Sequence, residues 1–197
     1  MKKCKQCKQP FEPQRPLQYV CSIPCSYEYS KKLQEKKEKE KFKELKEKCK
    51  QKRDFLNDLQ NEINTIVRLI DNNQPCIATG LNNGKRNAGH YISRGSNPTI
   101  RFNLHNIHIQ SEHSNSYKAG DTTRYKEGII NIYGADYLEF MDSLQQTPKL
   151  NLSIDEIKLA IKEARAIVKE LKSDDLTYSV EERKELREKF NKRIGIY

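Results

Sequence analysis

The chain has 197 residues, of which 35% are hydrophobic and 32% are charged, and its formal net charge is +10. So little apolar material argues against a single large core and predicts small folded units joined by exposed helix. A basic excess of this size favours a polyanionic partner, above all nucleic acid. No apolar run is long enough to span a bilayer, and the polar start of the chain lacks a signal peptide's hydrophobic stretch, so we expect a cytoplasmic protein.

The first segment in chain order, residues 1–25, contains a cluster of cysteines. Two close pairs, Cys4-x2-Cys7 and Cys21-x3-Cys25, can bring four thiolates to one tetrahedral ion. In a reducing compartment such cysteines are more typical of metal ligands, and the alternative is disordered thiols or an adventitious disulfide. We therefore predict a Cys4 zinc module whose metal supplies its folding energy. The module would either bind DNA or anchor the helix that follows.

Residues 26–72 lack glycine and proline and are predicted to form one long helix. Between Lys31 and Arg53, twelve basic residues outnumber five acidic ones by seven. A solvated helix with i,i+4 ion pairs is one interpretation, but a phosphate-contacting arm is favoured because it explains the positive excess. The candidate DNA contacts on this arm are Lys36, Lys39, Lys43, Lys46 and Lys50. The second half of the helix is amphipathic from Phe55 to Ile70.

Residues 73–134 hold seven of the eight glycines and all four histidines. This composition predicts a compact, loop-rich domain with short strands near 88–92 and 107–110 and a helix over about 114–119. Residues 135–197 are predicted to be helical, with capping boxes that begin at Ser153 and Ser179.

Three polar residues of the central segment suit phosphodiester hydrolysis, which needs an activated water and stabilisation of phosphate charge. His90 on the first strand can act as general base. Asn106 at the start of the second strand can tie the connecting loop or orient the histidine, and the amide oxygen of Asn115 can bind Mg²⁺ or Mn²⁺. Arg101 and Lys118 are candidate phosphate contacts.

Each of these residues also has a simpler interpretation, namely an ordinary strand histidine, a turn former and a helix cap. Taken singly, the simpler interpretations are favoured. Together, at these spacings and in a basic chain, the nuclease interpretation is favoured, with His90 and Asn106 as catalytic candidates and Asn115 as a metal ligand.

These residues resemble the HNH (His-Me finger) nucleases, and the whole chain is similar to the NinG (Rap) family of phage recombination proteins. The similarity rests on the Cys-x2-Cys module, the Lys/Glu-rich helix, the helical C-terminal part, and the sequences PCIATG, AGHY, RFNLHNIHIQ and NSYKAG. It implies a phage- or prophage-encoded endonuclease that acts on branched recombination intermediates in the bacterial cytoplasm. By this resemblance His90 is the general base, Asn115 a metal ligand and Asn106 the middle structural residue.

The chain departs from the family pattern where a second zinc site is common. The four corresponding positions are Cys76, Thr79, Ser111 and Ser114. Because hydroxyls are poor zinc ligands, that site is expected to be absent, and a replacement that uses Cys76 with His108 or His113 is the weaker alternative. The domain is then expected to be held by packing against helices at 55–72 and 153–172.

A second departure lies next to His90. Many HNH members have an aspartate just before the first histidine, whereas this chain has Gly89. Because glycine offers no ligand, we expect weak metal affinity rather than loss of activity. His108 and His113 could assist, but a structural or exposed role is favoured for each.

The sequence therefore predicts an α+β fold that is mostly helical, with a small ββα-metal core and an N-terminal Cys4 zinc module. The expected cofactors are a structural Zn²⁺ and a catalytic Mg²⁺ or Mn²⁺, and the expected partner is branched DNA. A homodimer would suit an enzyme that must cut two strands. Two alternatives stay open: a non-catalytic DNA-binding accessory protein with a degenerate hairpin, and a scaffold in which the long helix pairs with another copy.

Overall fold

The structure, a computed structural model, describes residues 1–82, 84–117, 121–174 and 176–197. The chain divides into two units, Met1–Gln51 and Lys52–Tyr197. The prediction of one helix over 26–72 is wrong, because the segment forms α1 (Ile23–Lys48) and α2 (Lys52–Ile70). No residue of α1 is buried, whereas α2 has a buried face, so tertiary packing determines where the second helix begins.

The first unit consists of a small hairpin and a long exposed helix. β1 (Lys2–Lys3) pairs antiparallel with β2 (Pro10–Phe11). α1 begins at Ser22, whose hydroxyl accepts a hydrogen bond from the Cys25 amide and caps the helix. Because none of its side chains is buried, α1 is stabilised by its own backbone and by local side-chain pairs rather than by packing.

In the part that the structure describes, the second unit contains a β-hairpin and five α-helices. Its strands are β3 (Arg86–His90) and β4 (Ile107–Ser111), and its helices after α2 are α3 (Thr122–Tyr133), α4 (Ala135–Ser143), α5 (Ile154–Asp174) and α6 (Val180–Ile194). The strands pair antiparallel, with His90 opposite Ile107, and both predicted strands are confirmed to within two residues. A short π-helical turn, His113–Tyr117, occupies most of the helix predicted over 114–119.

The second unit contains two hydrophobic cores. In the first, α2 and α5 pack on each other and on hairpin residues, with Leu59 and Ile167 fully buried. In the second, α3 and α4 pack on the segment around Ile77. A Cβ on Gly128 would overlap the Ile77 carbonyl, so glycine permits this close approach of α3. The expected packing against 55–72 and 153–172 is observed in the first core.

A buried ion pair joins the end of α2 to α6. Nη2 of Arg187 donates to both carboxylate oxygens of Asp71 at 2.8 Å, and Nε of Arg187 donates to the Leu104 carbonyl at 3.1 Å. Asp71 also accepts the Ile109 amide at 3.0 Å. Removing one member of such a pair costs about 3–5 kcal/mol, because an uncompensated buried charge is left behind. α6 therefore anchors the hairpin. This contact was not predicted from the sequence.

Local capping signals in the sequence are matched by the helix starts. Both predicted capping boxes are present, since Glu156 accepts the Ser153 amide and Glu182 accepts the Ser179 amide, each at 2.7 Å. Within the described ranges, no helix combines the length and the apolar character that crossing a membrane requires.

Candidate functional site

The four clustered cysteines converge in the first unit. Their sulfur atoms all lie within 4.8 Å of one another, and Cys21 Sγ is 3.6 Å from the sulfurs of both Cys7 and Cys25. Four thiolates that each lie about 2.3 Å from a tetrahedral zinc ion are separated by about 3.8 Å. The cluster is therefore positioned to bind a metal ion, and its spacing fits zinc. All four are free thiols, so the disulfide alternative is not adopted.

The protonation of this cluster is uneven. Burial raises the pKa of Cys4, but hydrogen bonds from the backbone at Cys7, Cys21 and Gln6 outweigh burial and lower it to about 6. Hydrogen bonds with Cys25 and Cys7 raise the pKa of Cys21 to about 12. Crowded sulfurs share protons in this way, and a divalent cation displaces those protons when it binds.

His90 and Asn115 line one cleft of the second unit, which has a volume of about 450 Å³. Its wall is formed by α2, β3, the connection after β3 and the turn after β4. The polar side chains in this wall are Asn64, Arg68, Asn87, His90, Ser93, Arg94 and Asn115. The structure thus brings together the predicted base and the predicted metal ligand, and it adds two arginines that sequence reasoning missed.

The geometry around His90 determines its protonation. Nε2 of His90 lies 2.9 Å from the carbonyl oxygen of Arg101. Because a carbonyl only accepts, Nε2 carries the proton and the lone pair is on Nδ1. Burial, with a smaller effect from the charges of Arg94 and Arg101, lowers the pKa of His90 to about 4 despite that hydrogen bond. At neutral pH the ring is a neutral proton acceptor.

Asn106 lies outside the cleft and is fully buried. Its Oδ1 accepts the Ile92 amide at 2.9 Å, and its Nδ2 donates to the carbonyls of Ile92 at 3.0 Å and Ile100 at 3.3 Å. It therefore ties the connection between the two strands, which is one of the two roles predicted for it. Because its side chain is fully buried, any catalytic contribution of Asn106 would come through the connection that it holds and not through contact with a substrate.

Of the two predicted phosphate contacts, the one that the structure describes, Arg101, does not line the cleft. The half-buried Arg101 donates through Nε to Gln60 at 3.3 Å and lies over the ring of Phe102, so its side chain is held against α2. Lys118 lies outside the described residues. Arg68 and Arg94 line the cleft instead. A weak sequence signal existed for both, since Arg94 follows His90 closely and Arg68 is one helical turn from Asn64.

The four positions that correspond to the second zinc site common in the family form a hydrogen-bonded group. Cys76 Sγ accepts the Ser111 amide at 3.1 Å, and Ser111 Oγ accepts the Ser114 amide at 3.3 Å. Burial raises the pKa of Cys76, but hydrogen bonds with Thr79 and Ser111 outweigh burial and lower it. Polar contacts with one thiol and several hydroxyls therefore replace metal ligation here, and this donor set does not fit zinc.

Among the described residues, Cys76 does not join His108 or His113 in any group of three or more possible metal ligands, which was the weaker alternative. His108 is buried, and its Nδ1 is 3.0 Å from the Tyr125 hydroxyl. His113 is exposed. These placements agree with the structural and exposed roles favoured for the two histidines.

Gly89 is packed against its neighbour on β4. A Cβ at this position would overlap the side chain of Gln110, which is fully buried. An aspartate here would therefore require Gln110 to move.

Among the described residues that line the cleft none is acidic, and the amides of Asn87 and Asn115 offer the oxygen donors on the hairpin side. Mg²⁺ usually takes one or two carboxylates, so this set would hold it weakly until a phosphate adds its own oxygens.

Acidification from pH 6.5 towards pH 5 is expected to destabilise the second unit. Burial lowers the pKa of both His90 and His105 to about 4 and that of His108 further. Between these pKa values and pH 6.5, the three side chains bind protons only in the unfolded state. Each such histidine lowers the free energy of unfolding by about 1.4 kcal/mol per pH unit. The stability that the neutral histidines contribute is therefore fully present above pH 6.5 and is lost as the pH falls. Urea unfolding at pH 7, 6 and 5 measures this effect, and a constant midpoint would contradict it.

The chain is similar to a family of phage proteins. Residues 1–174 match the family described as Bacteriophage Lambda NinG protein. "Protein ninG" of Escherichia phage lambda is 32% identical over 89 residues, which is 45% of this chain and 44% of that relative. "Protein ninG" of Enterobacteria phage H19B gives the same figures, and that of Salmonella phage P22 is 30% identical over 89 residues. The matched part thus spans less than half of these curated relatives. No solved structure matches the chain.

Proposed function

We propose that this chain, which belongs to the family of the Bacteriophage Lambda NinG protein, is a divalent-metal-dependent endonuclease that cuts branched DNA recombination intermediates. The observation that carries the proposal is the cleft in which a neutral His90 lies with Asn115, Arg68 and Arg94. A proton acceptor, cationic groups for a phosphate and an amide oxygen for a hard cation are the parts that phosphodiester hydrolysis needs.

His90 is proposed to remove a proton from the attacking water. Its lone pair is on Nδ1, because Nε2 donates to the Arg101 carbonyl at 2.9 Å. The same carbonyl favours the imidazolium that forms after proton transfer and fixes the orientation of the ring. Since the pKa of His90 is lowered to about 4, the acceptor form is present at neutral pH without a further activating group.

Arg68 and Arg94 are proposed to bind the scissile phosphate and to offset the negative charge that grows on it. Asn115, with Asn87 on β3, would hold Mg²⁺ or Mn²⁺ together with phosphate oxygens. The cation would supply further charge stabilisation at the phosphate and the leaving oxygen.

The lysines of α1 are proposed to supply sequence-independent DNA affinity. Lys36, Lys39, Lys43 and Lys46 are exposed on α1, and Lys50 follows its end. Two acidic neighbours reduce this charge, since Lys36 lies 3.9 Å from Glu40 and Lys50 lies 2.8 Å from Glu47. Contacts of this kind position DNA without reading sequence, and their affinity falls as the salt concentration rises.

A second candidate is a DNA-binding recombination accessory protein without catalytic activity. The observation that favours it is the lack of a carboxylate among the described residues of the cleft. It keeps the cysteine module and the basic helix but assigns no reaction to His90.

The test compares a labelled four-way DNA junction with a linear duplex of the same sequence, in Mg²⁺ or Mn²⁺. We expect the junction to be cut and the linear duplex to be cut much more slowly. Junction binding with no product in either metal would contradict the nuclease and support the accessory protein. Equal cutting of both substrates would retain the nuclease but contradict the preference for branched DNA.

A further inference from the structure

The carbonyl that orients His90 belongs to a segment outside the hairpin ladder. Arg101 lies between two short 3₁₀ turns, Pro98–Ile100 and Leu104–Asn106, in the connection that leads into β4. No strand pairing fixes residues 98–103. Within the segment, the Asn103 amide donates to the Ile100 carbonyl at 3.1 Å, and the remaining support for the Arg101 carbonyl comes from groups outside the segment.

Tyr197 holds the segment on both sides of Arg101. The Tyr197 hydroxyl donates to the Thr99 carbonyl at 2.6 Å and accepts the Phe102 amide at 3.3 Å. Burial raises the pKa of Tyr197 above its usual value, so the hydroxyl keeps the proton that it donates. One side chain thus spans the two residues that flank Ile100 and Arg101.

α6 holds the following turn. Asn191 Oδ1 accepts the Leu104 amide at 3.0 Å, and Asn191 Nδ2 donates to Asn103 Oδ1 at 3.0 Å. Arg187 donates to the Leu104 carbonyl at 3.1 Å. α6 and Tyr197 lie beyond residue 174, where the family match ends. These anchors are thus supplied by a part of the chain to which the family match assigns nothing.

We infer that Tyr197 and Asn191 are positioning residues for His90, which act by holding the Arg101 carbonyl where it accepts the Nε2 proton. Neither side chain lines the cleft. Their effect is to keep the His90 ring in one tautomer with the lone pair of Nδ1 directed away from that carbonyl. The catalytic consequence rests on the proposed function, whereas the consequence for the tautomer does not.

The experiment uses Tyr197→Phe in the full chain, because phenylalanine keeps the ring and removes the hydroxyl. Nitrogen-15 NMR of the His90 ring is expected to show a single Nε2–H tautomer in the wild type and a mixture in the variant. Junction cutting is expected to fall about 10- to 100-fold in kcat with KM unchanged, since a small misplacement of a catalytic group costs that much.

The matched control is Arg193→Gln, also on α6. Arg193 pairs with Glu163 at 2.7 Å and Glu170 at 2.6 Å, so its loss weakens the contact between α5 and α6 without touching residues 99–104. This variant is expected to keep the wild-type tautomer and kcat. An equal change in the control would show that general destabilisation, and not positioning, is responsible.

A wild-type tautomer in Tyr197→Phe would overturn the inference. If that variant does not fold, Asn191→Ala provides the same test from the other anchor, with a mixed tautomer expected and a wild-type spectrum overturning the inference. If the wild type cuts no DNA, the proposed function fails, but the NMR comparison still decides whether Tyr197 and Asn191 orient His90.

Discussion

Replacing His90 with alanine is expected to lower the rate of junction cutting by about 10²- to 10⁴-fold, the usual contribution of a general base. The reason is that the variant lacks the Nδ1 lone pair, while Arg68, Arg94 and Asn115 still line the cleft. Junction binding should therefore be unchanged. Single-turnover cleavage and an independent binding titration, both at one salt concentration, measure the two quantities separately.

The control for this variant is His113→Ala. His113 is exposed and does not line the cleft, so both cutting and binding should stay at wild-type levels. The pH profile adds a second criterion. Because the pKa of His90 is lowered to about 4, kcat/KM should not fall near pH 6.5 as it would with an unperturbed histidine. If His90→Ala cuts the junction at the wild-type rate, His90 is not the general base. If His90→Ala no longer binds the junction, His90 contributes to substrate binding.

Preventing metal binding at the cysteine cluster is expected to unfold the start of the first unit. A structural zinc ion contributes about 10–16 kcal/mol to the folding of small modules at neutral pH, and few apolar contacts remain here to replace it. Cys4 is buried in the cluster, whereas most of residues 1–22 are exposed or half-buried. Cys25→Ser is therefore expected to bind no zinc with structural affinity and to lose the fold of residues 1–22. Metal analysis and amide NMR measure these two effects.

The matched control is Cys49→Ser, which removes an exposed thiol that does not belong to the cluster. It is expected to retain one zinc ion per chain. The second unit should stay folded in both variants, because it has its own two cores. Full zinc binding by Cys25→Ser would contradict the four-cysteine site. The DNA affinity of Cys25→Ser also separates the two roles considered for the module, since an anchor alone would leave that affinity unchanged.

Features with short-range causes could be predicted from the sequence. The two cysteine pairs occur at a spacing that suits one ion, and their sulfurs converge. The capping boxes at Ser153 and Ser179 need only residues within one turn of each other, and both are formed. The hairpin was placed correctly, and its strands bring His90 near the turn that carries Asn115. In each case the determining contacts lie close together in sequence or follow from strand pairing.

Features with long-range causes were decided by the tertiary structure. Nothing in the composition of 26–72 marks the interruption near Gln51, because it reflects where burial against α5 begins. Likewise, Arg68 enters the cleft only because α2 packs beside β3, and Arg101 is directed away from it by Gln60. The anchors on α6 join residues that are more than eighty positions apart in the chain. Sequence patterns report which face of an element is buried, but the partner of that face is chosen by packing among all elements at once.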